Sequence, residues 1–230
     1  MPSRLARIAA LVPRGSRVAD VGTDHGLLPI WLLQNGFAVS AVATDIRPGP
    51  LSRAESHRRE LGIGDMRCVL CDGLEALSPH EADAVIIAGM GGENIAEILR
   101  KAPWTASETL LLLQPMSRAE TLRAFLIESG FRIEGEYLVR DKGKIYPVIA
   151  ARGGVEDTLT PGELYTGRYS LVAGEALFPE MLSSLMKKTE SAMAGLERSG
   201  REEDLLRLDH LRLVYADLDA MRRRSNAEST

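Results

Sequence analysis

The sequence predicts a doubly wound α/β fold followed by a helical hairpin, and three observations carry this prediction. Short, β-rich apolar runs alternate with helical patterns from Leu5 to about Ala151, as in a parallel sheet covered by helices. A glycine-rich turn follows the first of these runs and leads directly into an apolar helix. Beyond Gly153 the pattern changes to two amphipathic helices.

Seven candidate strands follow one another in the first part of the chain, each near the usual strand length. They are residues 17–21, 39–44, 67–70, 84–88, 109–113, 131–139 and 144–151. Only residues 140–143 separate the last two, and a link this short joins antiparallel neighbours. The sequence therefore predicts five parallel strands with helices, closed by an antiparallel pair.

The remainder of the chain predicts a helical unit of its own. A Gly- and Pro-containing linker runs from residue 153 to residue 162. Apolar residues then recur at steps of three and four in two stretches, separated by a break at Ser199 and Gly200. The two stripes are Leu182, Leu185, Thr189, Ala192 and Leu196, and Leu211, Val214, Leu218 and Met221. An antiparallel helix pair buries both stripes, so we expect domains at residues 1–153 and 154–230.

Composition narrows the functional classes. With 230 residues, of which 45% are hydrophobic and 26% are charged, the chain has enough apolar side chains for a core. A net charge of −4 gives no overall positive field, so an RNA contact requires a local basic patch. Candidates, with an ordinary solvated face as the alternative, are Arg4, Arg7, Arg14 and Arg17, then Arg53, Arg58, Arg59 and Arg67, and finally Arg222, Arg223 and Arg224.

The two cysteines and the apolar segments bear on the compartment. Cys68 and Cys71 cannot form a disulfide framework, and they fit free thiols in a reducing environment better than a metal site. No segment approaches the length of a membrane span. We therefore expect a cytoplasmic protein with no membrane partner and no metal.

The turn after the first candidate strand, DVGTDHG at residues 20–26, has the features of a ligand loop. Gly22 and Gly26 permit a tight turn and the close approach of a ligand, and the helix start favours a negative group. An ordinary strand-to-helix turn is the alternative. Asp45 ends the second strand about 20 residues after this loop, where a carboxylate accepts the hydroxyl groups of a ribose. The pair favours a nucleoside ligand.

Two further carboxylates define the kind of nucleoside. Asp72 ends the third strand, where it is placed to accept an adenine amine, with a helix N-cap as the alternative. Asp24 occupies the place that a dinucleotide loop keeps free for pyrophosphate, which favours a ligand that carries a cation. S-adenosylmethionine is such a ligand. The fourth strand is expected to end in a loop, AGMGG at residues 88–92, that lets reactants approach its backbone.

Four segments together resemble the bacterial tRNA (adenine-N1)-methyltransferases that modify adenine 22. They are DVGTDHG at 20–26, AGMGGEN at 88–94, LQP at 113–115 and GKIY at 143–146. The resemblance covers most of residues 4–151, and the C-terminal hairpin resembles the coiled-coil appendage of that family. It implies a Rossmann-like class I methyltransferase fold with a seven-stranded sheet, S-adenosylmethionine as methyl donor and tRNA as acceptor.

These segments, together with the residues at the ends of the second and third strands, define the expected site. The residues expected to bind the donor are Asp20, Gly22, Thr23, Gly26, Asp45, Ile46, Asp72, Gly73, Gly89 and Met90. Methyl transfer to adenine N1 is a direct displacement in which positive charge moves from sulfur to the base. We expect Asp24 to stabilise this charge and His25 to assist it by hydrogen bonding or proton acceptance. We expect Asn94 to hold the base, with a capping or core role as the alternative for His25 and a helix cap for Asn94.

Three other functions remain compatible with the sequence. A small-molecule methyltransferase needs a closed pocket and no basic surface. A non-catalytic RNA-binding protein that kept the fold does not need the methyl donor. A nicotinamide dehydrogenase needs room for a diphosphate, against which Asp24 argues.

Overall fold

The computed structural model describes residues 1–155, 157–199 and 201–228. Within these ranges seven strands form one sheet. The strands are β1 (Ser16–Val21), β2 (Ala38–Asp45), β3 (Met66–Leu70), β4 (Ala84–Gly91), β5 (Leu110–Ser117), β6 (Phe131–Asp141) and β7 (Lys144–Gly153). All seven predicted strands are confirmed, with ends that differ by a few residues.

The strand order is β3-β2-β1-β4-β5-β7-β6. The first five strands in this order are parallel, and β7 is antiparallel to both of its neighbours. The order reverses between β1 and β4, which is where doubly wound sheets open a crevice at the carboxyl ends of their strands. Lys142 and Gly143, both at positive φ, form the two-residue turn between β6 and β7.

The fourth strand corrects one expectation. Residues 88–91, predicted to be a loop, continue β4 as an irregular strand, with register shifts on both sides of Met90. Met90 pairs with Pro115 and Gly91 pairs with Ser117. Gly92 then begins the next helix directly. The segment is therefore paired with β5 and belongs to the sheet, while its access to a ligand stays a prediction.

Helices cover both faces of the sheet. They are α1 (Ser3–Ala9), α2 (Leu27–Gln34), α3 (Pro48–Glu60), α4 (Gly92–Lys101) and α5 (Ala119–Glu128). Ile8 of α1 and Leu32 of α2 pack with Val18 and Ile86 on one face. On the other face α4 and α5 contribute Ile95, Leu99, Leu122 and Leu126, which pack against Val85 and Leu111. The central strands are therefore buried on both faces, which explains their nearly continuous apolar runs.

The C-terminal part is helical, as predicted. It contains α6 (Pro161–Thr166), α7 (Tyr169–Val172), α8 (Phe178–Ser199) and α9 (Leu205–Glu228). The bonds of Tyr215 to Glu190 and of Arg212 to Glu197 show that α8 and α9 are antiparallel. Their apolar stripes face each other, and Gly200, part of the predicted break, lies outside the described residues.

Most of the arginines considered for a basic face are used in contacts within the fold. Arg4 pairs with Asp141, Arg7 with Glu175 and Arg17 with Asp83, while Arg14 lies over the ring of Phe37. Similar pairs involve Arg58, Arg59, Arg67, Arg222, Arg223 and Arg224. The solvated, charge-balanced alternative is therefore the better description of these clusters.

Cys68 lies in β3 and Cys71 just after it, and both are free, half-buried thiols. Among the described helices, none combines the length and apolar character that a bilayer crossing requires.

Candidate active site

A cavity of about 490 Å³ opens at the carboxyl ends of β1, β2, β3 and β4, beside the point where the strand order reverses. Side chains and backbone from all four strand ends and from α4 contribute to its wall. The lining residues are Val21, Gly22, Asp45, Ile46, Arg47, Asp72, Gly73, Ala88, Gly89, Met90, Asn94, Glu97, Ile98 and Lys101. The cavity therefore lies at the edge of the sheet where the sequence predicts the ligand.

Gly22 forms part of this wall in a conformation that other residues rarely adopt. Its φ is +71°, and a Cβ built on it would lie 2.2 Å from Cε of Met90. The backbone N–H groups of Gly22 and Thr23 both donate to the carbonyl oxygen of Thr44, at 2.8 and 3.0 Å. The turn after β1 is thus fixed to the end of β2, and a side chain at position 22 requires the end of the Met90 side chain to move.

Thr44 is a positioning residue that the sequence analysis missed. Its hydroxyl donates to the carbonyl oxygen of Gly73 at 2.8 Å, while its own carbonyl receives the two bonds from the turn after β1. One fully buried residue therefore connects the turns that follow β1 and β3, the first through its backbone carbonyl and the second through its hydroxyl. A single threonine inside a strand gives no sequence signal for this role.

Asp20 lies beneath the same turn and does not line the cavity. Its burial raises the pKa of the carboxyl group to about 6, an effect that the hydroxyl of Thr23 partly offsets. Thr23 is also buried, and Gly26, at φ +67°, forms the N-cap of α2. These three predicted residues therefore support the turn from its buried side and do not line the cavity.

Asp45 and Ile46 occupy the end of β2. The Oδ1 atom of Asp45 accepts the backbone N–H of Arg47 at 2.8 Å, which fixes the carboxylate. No described residue donates a hydrogen bond to its Oδ2 atom. Ile46, by contrast, is 65% exposed although it is fully apolar. A fixed carboxylate beside an uncovered apolar side chain suits a ligand with hydroxyl groups next to a flat ring.

Asp72 forms an ion pair at the mouth of the cavity. Its Oδ2 atom accepts from Nζ of Lys101 at 2.7 Å, and Glu75 lies 3.3 Å from the same nitrogen. These hydrogen bonds raise the pKa of Lys101. The alternative helix N-cap role of Asp72 is wrong, because a turn, in which the backbone N–H of Glu75 donates to the Asp72 carbonyl, follows β3 in place of an α-helix.

Asn94 lines the cavity from the first turn of α4. Gly91 is the N-cap of this helix, and no side chain caps it, so the capping alternative for Asn94 is wrong. Glu97, Ile98 and Lys101 follow on the same helix face at steps of three and four. This spacing was present in the sequence, and extending the helix from Asn94 would have found these residues.

Asp24 and His25 are not among the residues that line the cavity. The side chain of Asp24 is 80% exposed, and its Oδ1 atom lies 3.2 Å from Nε2 of His25. His25 has a φ of +60°, is neither a cap nor a core residue, and its carbonyl oxygen lies 3.2 Å from Nδ1 of His57. The argument that Asp24 repels a diphosphate inside the cavity is therefore corrected, because the carboxylates that line it are Asp45, Asp72 and Glu97.

Comparison with known proteins gives the family. A family model described as a methyltransferase domain matches residues 1–149. The tRNA (adenine(22)-N(1))-methyltransferase of Bacillus subtilis (strain 168) is 34% identical over 192 residues, which are 82% of this chain and 79% of the relative. The chain belongs to this methyltransferase family.

Solved structures of similar proteins agree with this assignment. The crystal structure of the B. subtilis M1A22 tRNA methyltransferase has a TM-score of 0.87 at 27% identity, covering 96% of this chain and 98% of the other. A putative tRNA (m1A22) methyltransferase of Streptococcus pneumoniae, solved in complex with S-adenosyl-L-methionine, has a TM-score of 0.79 at 28% identity and covers 94% and 100%. The predicted Rossmann-like methyltransferase fold with C-terminal helices is confirmed.

Within this methyltransferase fold, Arg4 of α1 is a second residue whose place the sequence did not predict. Its guanidinium lies against Gly89, where a built Cβ would be 3.0 Å from Nη1, and it donates to Oε1 of the buried Gln114 at 3.3 Å. It also pairs with Asp141 at 3.3 Å. Arg4 thus joins α1 to the ends of β4, β5 and β6 on the side of the cavity nearest β5.

Proposed function

We propose that this protein transfers the methyl group of S-adenosylmethionine to N1 of adenine 22 in tRNA. Family membership supports the reaction, and the observation that carries it in the structure is the cavity at the ends of β1, β2 and β4, where Asp45 and Ile46 lie side by side. The volume of about 490 Å³ lies within the usual range for small-molecule sites. The chemistry of the lining suits an adenosine that carries a cation.

The donor's adenosine has candidate partners at three points of the wall. Oδ2 of Asp45 is available to accept ribose hydroxyl groups. Ile46 and Ile98 provide apolar surface for the faces of an adenine ring. Asp72 is the candidate acceptor for the adenine amine, a role that it would share with its ion pair to Lys101.

The donor's charged end has candidate partners near the turn after β1. S-adenosylmethionine, when bound, supplies a methyl group activated by a sulfonium and carries an amino-acid tail. Gly22 allows the tail to approach the backbone closely, and Asp20 beneath the turn provides a carboxylate whose ionised form favours a neighbouring ammonium group. Gly89 and Met90 complete this side of the cavity.

The acceptor base is proposed to approach from the β4 side. Asn94 offers an amide to hold the base, and positioning of the reactants supplies most of the rate in a direct displacement. Asp24 and His25 remain proposed as the groups that stabilise the charge developing on the adenine. Because Asp24 is in water in the free protein, its effect depends on the RNA covering it.

We also propose a role for each of the two domains and a cellular compartment. Residues 1–153 would bind the donor, and residues 154–230 would form the helical unit. The tRNA partner implies a cytoplasmic enzyme. The end of β7 at Gly153 and the purely helical content of the described residues after it support the proposed boundary.

A methyl-transfer assay tests this function. Purified protein is incubated with methyl-labelled S-adenosylmethionine and an unmodified tRNA transcript, while calorimetry measures donor binding. Donor binding and labelled tRNA are expected. Donor binding without labelled tRNA would favour a small-molecule methyltransferase, and absence of donor binding would favour a non-catalytic RNA-binding protein.

A further inference from the structure

A second concavity of about 450 Å³, here called the β5–α8 groove, lies between the end of β5, the β6–β7 turn and the C-terminal helices. Its lining includes Pro115, Met116, Arg118, Glu120, Lys144, Tyr146, Tyr165, Glu180, Met181 and Lys188.

The groove adjoins the active-site cavity. Pro115, in the groove, pairs in the sheet with Met90, which lines the cavity. Neighbouring strands lie about 4.8 Å apart, so only the end of one strand separates the two concavities. If an RNA strand has one base in the cavity and continues toward β5, its next nucleotide lies at the groove.

The groove lining carries three cationic side chains and two carboxylates, a positive balance in a protein whose net charge is −4. Lys144 and Lys188 are exposed and form no ion pair within the part of the chain that the structure describes. Of the two carboxylates, Glu180 is bound by Arg140, at 2.9 Å from Nη1 to Oε1, and this pairing lowers the pKa of Glu180. The remaining one, Glu120, lies 3.7 Å from Arg118. Because both carboxylates pair with arginines, the two lysines are available to bind the anionic group of a ligand.

The groove also has an aromatic and apolar surface. Tyr146 and Tyr165 are half-buried and Met116 is exposed, while Met181, in the first turn of α8, lines the groove with only 9% of its surface exposed. A free phosphate ion needs only the cations, whereas a nucleotide needs cations for its phosphate and apolar or aromatic surface for its base. The combination points to a nucleotide.

The wall that carries Tyr165 is held firmly to the sheet. The carbonyl oxygens of Leu164 and Tyr165 accept hydrogen bonds from Nη1 of Arg123, at 2.8 and 3.2 Å. Arg123 is itself buried in α5 and forms an ion pair with Glu136 of β6. The distance between the two sides of the groove is therefore set by the fold before any ligand binds, which reduces the entropy cost of binding.

N1 lies on the pairing edge of adenine, so the target base must leave any base pair before it is methylated. We propose that the β5–α8 groove holds a nucleotide adjoining the target adenine, with Lys144 and Lys188 on its phosphate and the tyrosine and methionine side chains against its base. This proposal rests on the proposed function and adds the place where the flanking RNA is bound.

Lysine variants test the proposal with a matched control. Lys144→Ala and Lys188→Ala, alone and combined, are compared with Lys187→Ala, which removes the same charge from an exposed position of α8 outside the groove lining. Each groove variant is expected to raise Kd for a tRNA transcript about threefold or more and to reduce the salt slope by roughly one. Donor binding is expected to stay unchanged, and Lys187→Ala to behave like the wild type.

Photo-crosslinking gives an independent readout. A transcript with 4-thiouridine next to position 22 is expected to crosslink to peptides that contain Tyr146, Tyr165 or Met181. If the wild type methylates the transcript while the double lysine variant keeps its tRNA affinity, salt slope and KM, the groove proposal is wrong and the proposed function stands. If the wild type does not methylate the transcript, both are wrong.

Discussion

The guanidinium of Arg123 and the carboxylate of Glu136 form an ion pair in which neither side chain is exposed to solvent. Nε donates to Oε1 at 2.8 Å and Nη2 donates to Oε2 at 3.0 Å. The third nitrogen donates to the carbonyl oxygens of Leu164 and Tyr165 in α6. The bidentate contact thus connects α5 to β6, and the third nitrogen connects α5 to the beginning of the helical unit.

Breaking this pair is expected to be costly. Arg123→Met leaves the carboxylate of Glu136 buried without a partner, and we expect a loss of about 3–5 kcal/mol in the free energy of unfolding. Denaturant unfolding measures this loss. Arg123→Met combined with Glu136→Leu is expected to recover much of it, since no buried charge remains. A loss below about 1 kcal/mol in the single variant would contradict this description of the pair.

Gly22→Ala is expected to weaken donor binding at least tenfold, because alanine is strained at a φ of +71° and its Cβ forces Met90, which also lines the cavity, to move. Calorimetric titration with S-adenosylmethionine measures the change. Gly15→Ala is the control: its φ is +80°, so it carries similar backbone strain, but no atom lies within 4 Å of its built Cβ. The result that contradicts the assignment is an equal effect, or no effect, of the two variants on donor affinity.

Asp20 is expected to make the ligand-free protein less stable as the pH rises from about 4 to about 6. Its carboxyl group has a pKa of about 6 in the folded protein against 3.8 in an exposed setting, so the folded state holds the proton more tightly. Below pH 3.8 the carboxyl group is protonated in both the folded and the unfolded state, so it does not change the free energy of unfolding. Above pH 6 its burial lowers the free energy of unfolding by an amount that approaches about 3 kcal/mol. Asp20→Asn should therefore stabilise the ligand-free protein more at pH 7.5 than at pH 5.

Thermal unfolding of the wild type and Asp20→Asn at these two pH values measures the difference. The variant is also expected to bind S-adenosylmethionine more weakly, because it lacks the charge that favours the ammonium group. A stability gap that does not change with pH would show that the carboxyl group titrates normally and that burial does not control it.

Asp24→Asn is expected to lower kcat for tRNA methylation at least tenfold while Kd for the donor stays unchanged. The variant keeps the shape of the side chain and removes its charge, so only an electrostatic role is lost. Asp65→Asn, an exposed acid at the opposite ends of the parallel strands, is the control. If Asp24→Asn methylates tRNA at the wild-type rate, the electrostatic role must be abandoned, and Asn94 becomes the main candidate on the acceptor side.

Much of the fold could be predicted from the sequence, because local residue patterns determine the strands and turns. Strands buried on both faces, such as β4, appear as unbroken apolar runs, and the two-residue turn at Lys142 and Gly143 fixes the final hairpin. The insertion of β7 between β5 and β6 was not predictable. Hairpin pairing determines which strands are neighbours, but the choice of strand that docks on β5 depends on long-range packing.

The candidate site was predictable to a similar degree. The carboxyl ends of parallel strands meet at one edge, so Asp45 and Asp72 could be placed together from the sequence alone. The direction of the Asp24 side chain could not be predicted, because side chains in a turn between two glycines do not follow the regular period of a helix or strand. The pairing of Arg123 with Glu136 was also hidden, since contacts between a helix and a later strand leave no spacing signal.

Mass-spectrometric mapping of the methylated nucleoside tests the central claim most directly. A wild-type transcript and one with guanosine at position 22 are treated with the protein and S-adenosylmethionine, then digested and sequenced. We predict one 1-methyladenosine at position 22 of the first transcript and none in the second. A methyl group on another nucleoside or on another atom of adenine 22 would contradict the account. Absence of methylation from both transcripts would contradict it as well.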